Sequence, residues 1–231
     1  GVVSGILYTK LKIPAILAGI LTMIALYSIN LHIMGKANIS LLRTDTVFSL
    51  TQKALGVSQG MAAFLLPTIL VILIVGAIYW FFGTEKGSSL RATGANPHMA
   101  RAQGINTNSN IVLGLMVSNG LVALSGALLA QYQGSSDINM GRGAIVIGLA
   151  AVIIGEVIFG KLFTNFGLKL LAVSIGAVIY YFVLQIVLQL GLNTNDLKLI
   201  TALIVALFLA IPYWKGKMFH GKAKKEESRH A

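Results

Sequence analysis

Apolar residues fall along this chain in six long runs separated by polar stretches. The runs cover residues 13–34, 60–83, 110–132, 144–159, 166–190 and 197–214. A helix needs about 20 apolar residues to cross a hydrocarbon core about 30 Å thick. Five runs have the length to do so, while the fourth, 144–159, is short for a full span. That shortness predicts little tilt, a break, or help from neighbouring backbone at its ends. The apolar stretch 1–8 has no basic residues ahead of it and no initiator methionine, so it reads as the tail of an earlier helix rather than a signal peptide. The pattern predicts an all-α, polytopic transmembrane bundle over residues 1–214, N-terminally incomplete, with at least six spans and a basic tail at 215–231.

Composition supports this reading. Apolar residues make up 56% of the chain, charged residues 11%, and the mean hydropathy is +0.81, which excludes an ordinary soluble domain. The chain has no cysteine, so it offers neither a disulfide framework nor a thiolate metal site. Its four scattered histidines predict no metal site either. A net charge of +11 raises the question of nucleic acid, but placement answers it. The basic residues flank the apolar runs and crowd the tail, where they report orientation or contact with anionic lipid.

Tracing alternate sides from the tail puts Lys10, Lys12, Lys86, Arg91, Arg101, Lys161, Lys169 and the tail's basic residues on one face, 13 of the 18 lysines and arginines. The positive-inside rule predicts that this face is cytoplasmic. Lys36, Arg43, Lys53, Arg142 and Lys198 remain outside. The long outer connection, 35–59, carries an amphipathic stretch at 47–55 fitted to rest on the membrane or to present a docking surface. Asp137 and Arg142 in the short outer loop, with Arg43, Asp45 and Lys53, are candidate rim charges for a binding protein. Pro14 near the start of its run is cheap, whereas Pro67 inside its own run predicts a kink.

The inner connection, 84–109, is polar and glycine-rich and cannot sit in lipid. Leu90, Ala92, Met99, Ala102 and Ile105 predict two short helices with a turn at Gly94-Ala95-Asn96-Pro97, the second ending at Gly104. Such an elbow suits a groove on a partner, with Arg91 and Arg101 placed to form bidentate bonds to carboxylates. A solvated loop whose basic residues serve topology is the alternative.

Within the spans, Gly141, Ala144, Gly148, Ala151 and Gly155 recur at helical spacing and make one smooth face, for tight packing or for a moving gate. Glu156 lies beside that face and is a functional candidate by default as an intramembrane carboxylate, with pairing to Lys161 as the structural reading. Tyr181, Gln185 and Gln189 share a face at i, i+4 and i+8. With Asn119 and Ser125, and beside Ser118 and Gln131, they are candidate pathway lining or interhelical hydrogen-bonding groups.

Several of these stretches carry a resemblance. Arg91-Ala92-Thr93-Gly94-Ala95-Asn96-Pro97 with Met99-Ala100-Arg101-Ala102 and Gly104-Ile105 resembles the cytoplasmic loop of ABC permeases in the branched-chain amino acid and ribose class. KLKIPA from Lys10, GLVALSGALLA from Gly120 and GLAAVIIGEVIFG from Gly148 resemble that class too. With LQLGLNTNDLKLITA from Leu188, the chain is most similar to the tryptophan/tyrosine transport permeases. The family pattern has an acidic residue where this chain has Ala95. The resemblance implies the membrane-spanning subunit of a bacterial importer in the plasma membrane, with two permease copies forming a path for a small solute, an aromatic amino acid. A separate ABC ATPase subunit would dock under Arg91, Thr93, Gly94, Asn96, Pro97, Arg101 and Gly104, and an extracytoplasmic solute-binding protein would deliver the solute. This chain shows no GxxxxGK followed by Ser or Thr, so ATP and magnesium belong to the partner ATPase. A secondary transporter would need coupling-ion groups near the bilayer midplane, and an enzyme would need clustered catalytic groups; the pattern offers neither.

Overall fold

The computed structural model describes residues 1–189 except 43, 142 and 161–164, together with 199, 202, 203, 206 and 210. The predicted span 197–214, apart from those isolated positions, lies outside the described residues, as do Lys161, Arg43, Arg142 and the tail. The chain divides into two compact units, Gly1–Gly141 and Arg142–Ala231.

The first unit opens with α1 (Val2–Thr9) and α2 (Ala15–Met34). Pro14 is the residue just before α2, with an extended ψ of 137°, rather than the second residue of that helix as the pattern predicts. Then come β1 (Asn38–Ser40), α3 (Val47–Leu55) and α4 (Gln59–Gly83). The α4 helix runs through Pro67, which lies in its interior as the pattern predicts. Two short helices follow, α5 (Glu85–Ala95) and α6 (Pro97–Ala102), then the long α7 (Thr107–Gln133) and β2 (Ser135–Asp137).

Contacts within this unit fix which ends lie together. Gly1 meets Leu115 and Met116 of α7, whereas Gly5 meets Val112, so α1 runs antiparallel to α7. A side chain at Gly5 would come within 3.0 Å of Val112, so the glycines permit the approach. Ser4 and Thr22 share a 2.8 Å hydroxyl hydrogen bond between α1 and α2. Lys10 and Lys12, just beyond α1, therefore share an end with the start of α7 and with α5 and α6. At the opposite end β1 pairs antiparallel with β2, Ile39 opposite Ser136. Among the described residues of this unit, five lysines and arginines and Glu85 occupy the first end. Lys36, Lys53, Asp45 and Asp137 occupy the second.

The second unit holds α8 (Ala144–Phe159) and α9 (Phe166–Gln189), packed side by side. The short fourth run is one unbroken 16-residue helix, about 24 Å long. Its buried face is not the whole predicted stripe. Ala150, Ala151, Ile154 and Gly155 are buried, while Gly141, Ala144 and Gly148 are exposed. A side chain on Gly148 would meet nothing, but one on Gly155 would collide with the Ala172 carbonyl and one on Gly176 with the Ala151 carbonyl. The close contact therefore depends on a glycine from each helix.

α2, α4, α7 and Phe166–Ile186 of α9 are long and apolar enough to span a membrane, and at most 17% of any of their apolar windows is buried. Such apolar surface is stable only against lipid or other apolar chains. The chain is a multi-pass membrane protein.

Candidate functional site

The elbow of α5 and α6 is built from its caps inward. Thr84 accepts from the Gly87 N–H at 3.2 Å and starts α5. Gly87 sits so close to Phe81 and Phe82 that a Cβ would collide with the Phe81 carbonyl, which lets α5 fold back sharply from the end of α4. The predicted four-residue turn is tighter than expected, because Gly94 and Ala95 remain in α5 and only Asn96 separates the two helices. Asn96 Oδ1 accepts from the His98 and Met99 N–H groups at 3.1 Å each, and Pro97 takes the first helical position, where its missing donor costs nothing. The second helix ends at Ala102, two residues before Gly104. Gly104 has φ +79°; its N–H bonds to the Arg101 carbonyl and that of Ile105 to the Ala100 carbonyl. This pair of bonds is the glycine-dependent stop in which the chain leaves a helix through a left-handed residue.

Side chains then fasten the elbow to α7. Asn110, 6% exposed, donates to Ser89 Oγ at 2.7 Å and to Thr93 Oγ1 at 2.9 Å. Arg101 donates from Nε and Nη2 to Oγ1 of buried Thr107 at 3.2 and 2.9 Å. Thr93 and Ala100 thus face inward, while Arg91, Gly94, Asn96, Pro97 and Met99 stay exposed. Arg101 is expected from sequence to serve a partner alone; the structure gives it an internal acceptor as well. Thr107, Asn110 and Ser89 escape the sequence reading, which begins the helix at 110. The i, i+3 spacing of Thr107 and Asn110 on the first turn of α7 is the signal that would have found them. An open cleft of about 490 Å³ beside Lys86 and Ser109 is lined by the ends of α4 and α7 and the first turn of α5, so it belongs to the elbow end.

The other candidates are scattered. Tyr181, Gln185 and Gln189 are all exposed on the side of α9 away from its buried residues. Its neighbour Tyr180 is fully buried against Ala150 and Ile154, and the Tyr180 hydroxyl has no hydrogen-bond partner among the described residues. Asn119 turns its amide back to the Leu115 carbonyl at 2.8 Å, and Ser125 is exposed. Glu156 is exposed, clear of the α8–α9 contact; its predicted partner Lys161 lies outside the described residues. At the ribbon end, Asp45 pairs with Lys53 at 2.8 Å, both well exposed. The hydrogen bond and charge of Lys53 hold the Asp45 carboxyl below the usual aspartate range.

The family of branched-chain amino acid transport system permease components matches residues 1–211. This chain belongs to that family. The permease is 43% identical over 210 residues to the tyrosine transport system permease protein of Clostridioides difficile (strain R20291), covering 91% of this chain and 68% of that protein. It is 36% identical over 202 residues to an uncharacterized protein of Rickettsia prowazekii (strain Madrid E), covering 86% and 69%. At 28% over 172 residues it is similar to the galactose/methyl galactoside import permease of Salmonella typhimurium (strain LT2), covering 72% and 50%. No solved structure matches it. The permease is the membrane-spanning subunit of an ABC-type importer, and permeases of that kind work with an ATPase and a solute-binding protein.

Proposed function

We propose that this permease imports an aromatic amino acid, tyrosine or tryptophan. Two copies form the pathway, and the elbow end faces the cytoplasm, where the tail also lies. The observation that carries the substrate is the 43% identity to a tyrosine permease across 91% of the chain. The orientation is supported by the basic residues gathered at the elbow end of the first unit. Bond chemistry resides on the partner. The ATPase holds ATP and magnesium, and its docking site is the exposed tip of the elbow, with Met99 as apolar contact and Arg91 and Arg101 as charged ones.

The pathway itself needs polar but uncharged groups to pass a zwitterion with an aromatic ring. Tyr181, Gln185 and Gln189 supply amides and a ring on a face that packing against α8 leaves open. Gln185→Leu is accordingly expected to reduce uptake at least about tenfold, the cost of one unpaired polar contact to the solute, with assembly intact. Normal uptake kinetics in proteoliposomes would remove Gln185 from the pathway.

The functional assignment is tested by reconstituting the permease with its ATPase and binding protein and measuring ATPase activity against a panel of amino acids and sugars. Stimulation by tyrosine or tryptophan is the expected result. Stimulation by galactose alone, which the 28% similarity to a galactoside permease makes the second reading, would overturn the substrate and leave the permease role in place.

A further inference from the structure

Both surfaces on which the proposed importer must communicate are tied by side chains to one helix. At the elbow end, Asn110 and Thr107 of α7 hold α5 and α6 through the bonds described above. At the ribbon end, Gln131 Oε1 accepts the Val47 N–H at 2.8 Å. That N–H belongs to the first residue of α3 and has no acceptor within its own helix, so α7 supplies part of the cap that starts α3. The next residue, Tyr132, sets its ring edge against Phe48 at 5.9 Å. The carbonyl of Gly134, just past the end of α7, accepts from Leu41 at 2.8 Å. Asn110 and Gln131 are therefore about 32 Å apart along one helix at 1.5 Å per residue, close to the thickness of the hydrocarbon core.

We propose that α7 is the strut that couples the two faces, with Gln131 and Asn110 as the positioning residues at its ends. Solute-loaded binding protein, on meeting α3 and the ribbon, moves the elbow through this helix. The proposal rests on the function assigned above. Among the described residues of the first unit, α2 also runs from the elbow end to the ribbon but packs on α1, and α4 joins α3 to the elbow. The α4 helix carries Pro67 in its interior, which removes a backbone hydrogen bond and lets a helix bend at mid-length. α7 has no proline, and its ends are locked by hydrogen bonds rather than by chain continuity alone.

The test is a double-mutant cycle on the complete transporter in liposomes, reading the stimulation of ATPase activity by tyrosine-loaded binding protein over the basal rate. Gln131→Met keeps the length of the side chain and removes the acceptor, whereas Gln131→Glu keeps an acceptor. Gln131→Met is expected to lower stimulation about fivefold, the equivalent of one hydrogen bond, with Gln131→Glu retaining most of it. Asn110→Leu should give a similar loss; should that variant fail to assemble, Ser89→Ala removes one of the same two bonds and takes its place. Sites this far apart act independently unless something joins them, so independent roles predict a loss of about twenty-fivefold in the double variant. A strut predicts that breaking either end severs the same link, so the double variant stays near fivefold. Multiplicative losses, or full stimulation in Gln131→Met, would overturn the strut. A wild-type ATPase indifferent to the loaded binding protein would instead overturn the functional assignment, and the strut with it.

Discussion

Gly176→Ala, the smallest substitution available at that position, is expected to separate α8 from α9. A Cβ there would collide with the Ala151 carbonyl oxygen and lie 2.7 Å from the Gly155 nitrogen. Both obstacles are backbone, so no rotamer change relieves them, and the helices must move apart along the whole contact. Overpacking a core that can adjust its side chains costs about 1–3 kcal/mol, and a backbone clash belongs at or above the top of that range. About 3 kcal/mol corresponds to a loss of more than a hundredfold in the paired form. Separation would also expose Ile154 and Tyr180, now fully buried. The chain has no cysteine of its own, so cysteines introduced in pairs on α8 and α9 report the contact cleanly by crosslinking. Loss of the crosslink in Gly176→Ala is the expected result, with Gly148→Ala as the control because nothing lies near its Cβ. Retention of the crosslink at Gly176→Ala would show that the glycine approach is not what holds the pair.

The contrast between Gly148 and Gly155 also shows where sequence reading stops. Five small residues at helical spacing identify a face that another helix can approach, but spacing carries no information about where the neighbour crosses. The neighbour's own glycine decides that, and Gly176 lies in the next span, outside the pattern of α8. Tyr180 and Tyr181 make the same point. Adjacent and chemically identical, they differ only by the 100° between successive helical positions, yet one is sealed in the α8–α9 contact and the other is exposed. The spans up to residue 189, the elbow, and the amphipathic α3 were legible because hydrophobic runs, Asn-Pro and a helix-ending glycine act through local backbone physics. The bonds from Asn110 to the elbow were not. They join residues 17 to 21 positions apart, and their geometry exists only once α5 has folded back along α7.

Arg101→Glu is expected to abolish capture of the ATPase while leaving membrane insertion unchanged, and the structure separates two reasons for it. A guanidinium has five N–H donors; two point at Thr107 Oγ1 and the side chain is otherwise exposed, which suits the proposed contact with a carboxylate on the partner. The glutamate cannot donate to Thr107, so it loses the internal tie, and its charge repels the carboxylate that arginine would attract. Losing a hydrogen bond from a charged group costs about 1.5–3 kcal/mol, so retention of the ATPase on purified permease should fall at least tenfold. Thr107→Val divides the two contributions, because it removes the internal acceptor and keeps the arginine's charge. If docking depends on charge at the tip, Thr107→Val retains the ATPase and Arg101→Lys retains part of it. If docking depends on the elbow being held in place, Thr107→Val loses the ATPase nearly as completely as Arg101→Glu does, and Arg101→Lys, a point charge without the planar fork, does little better. Undiminished copurification in Arg101→Glu would remove this residue from the docking surface.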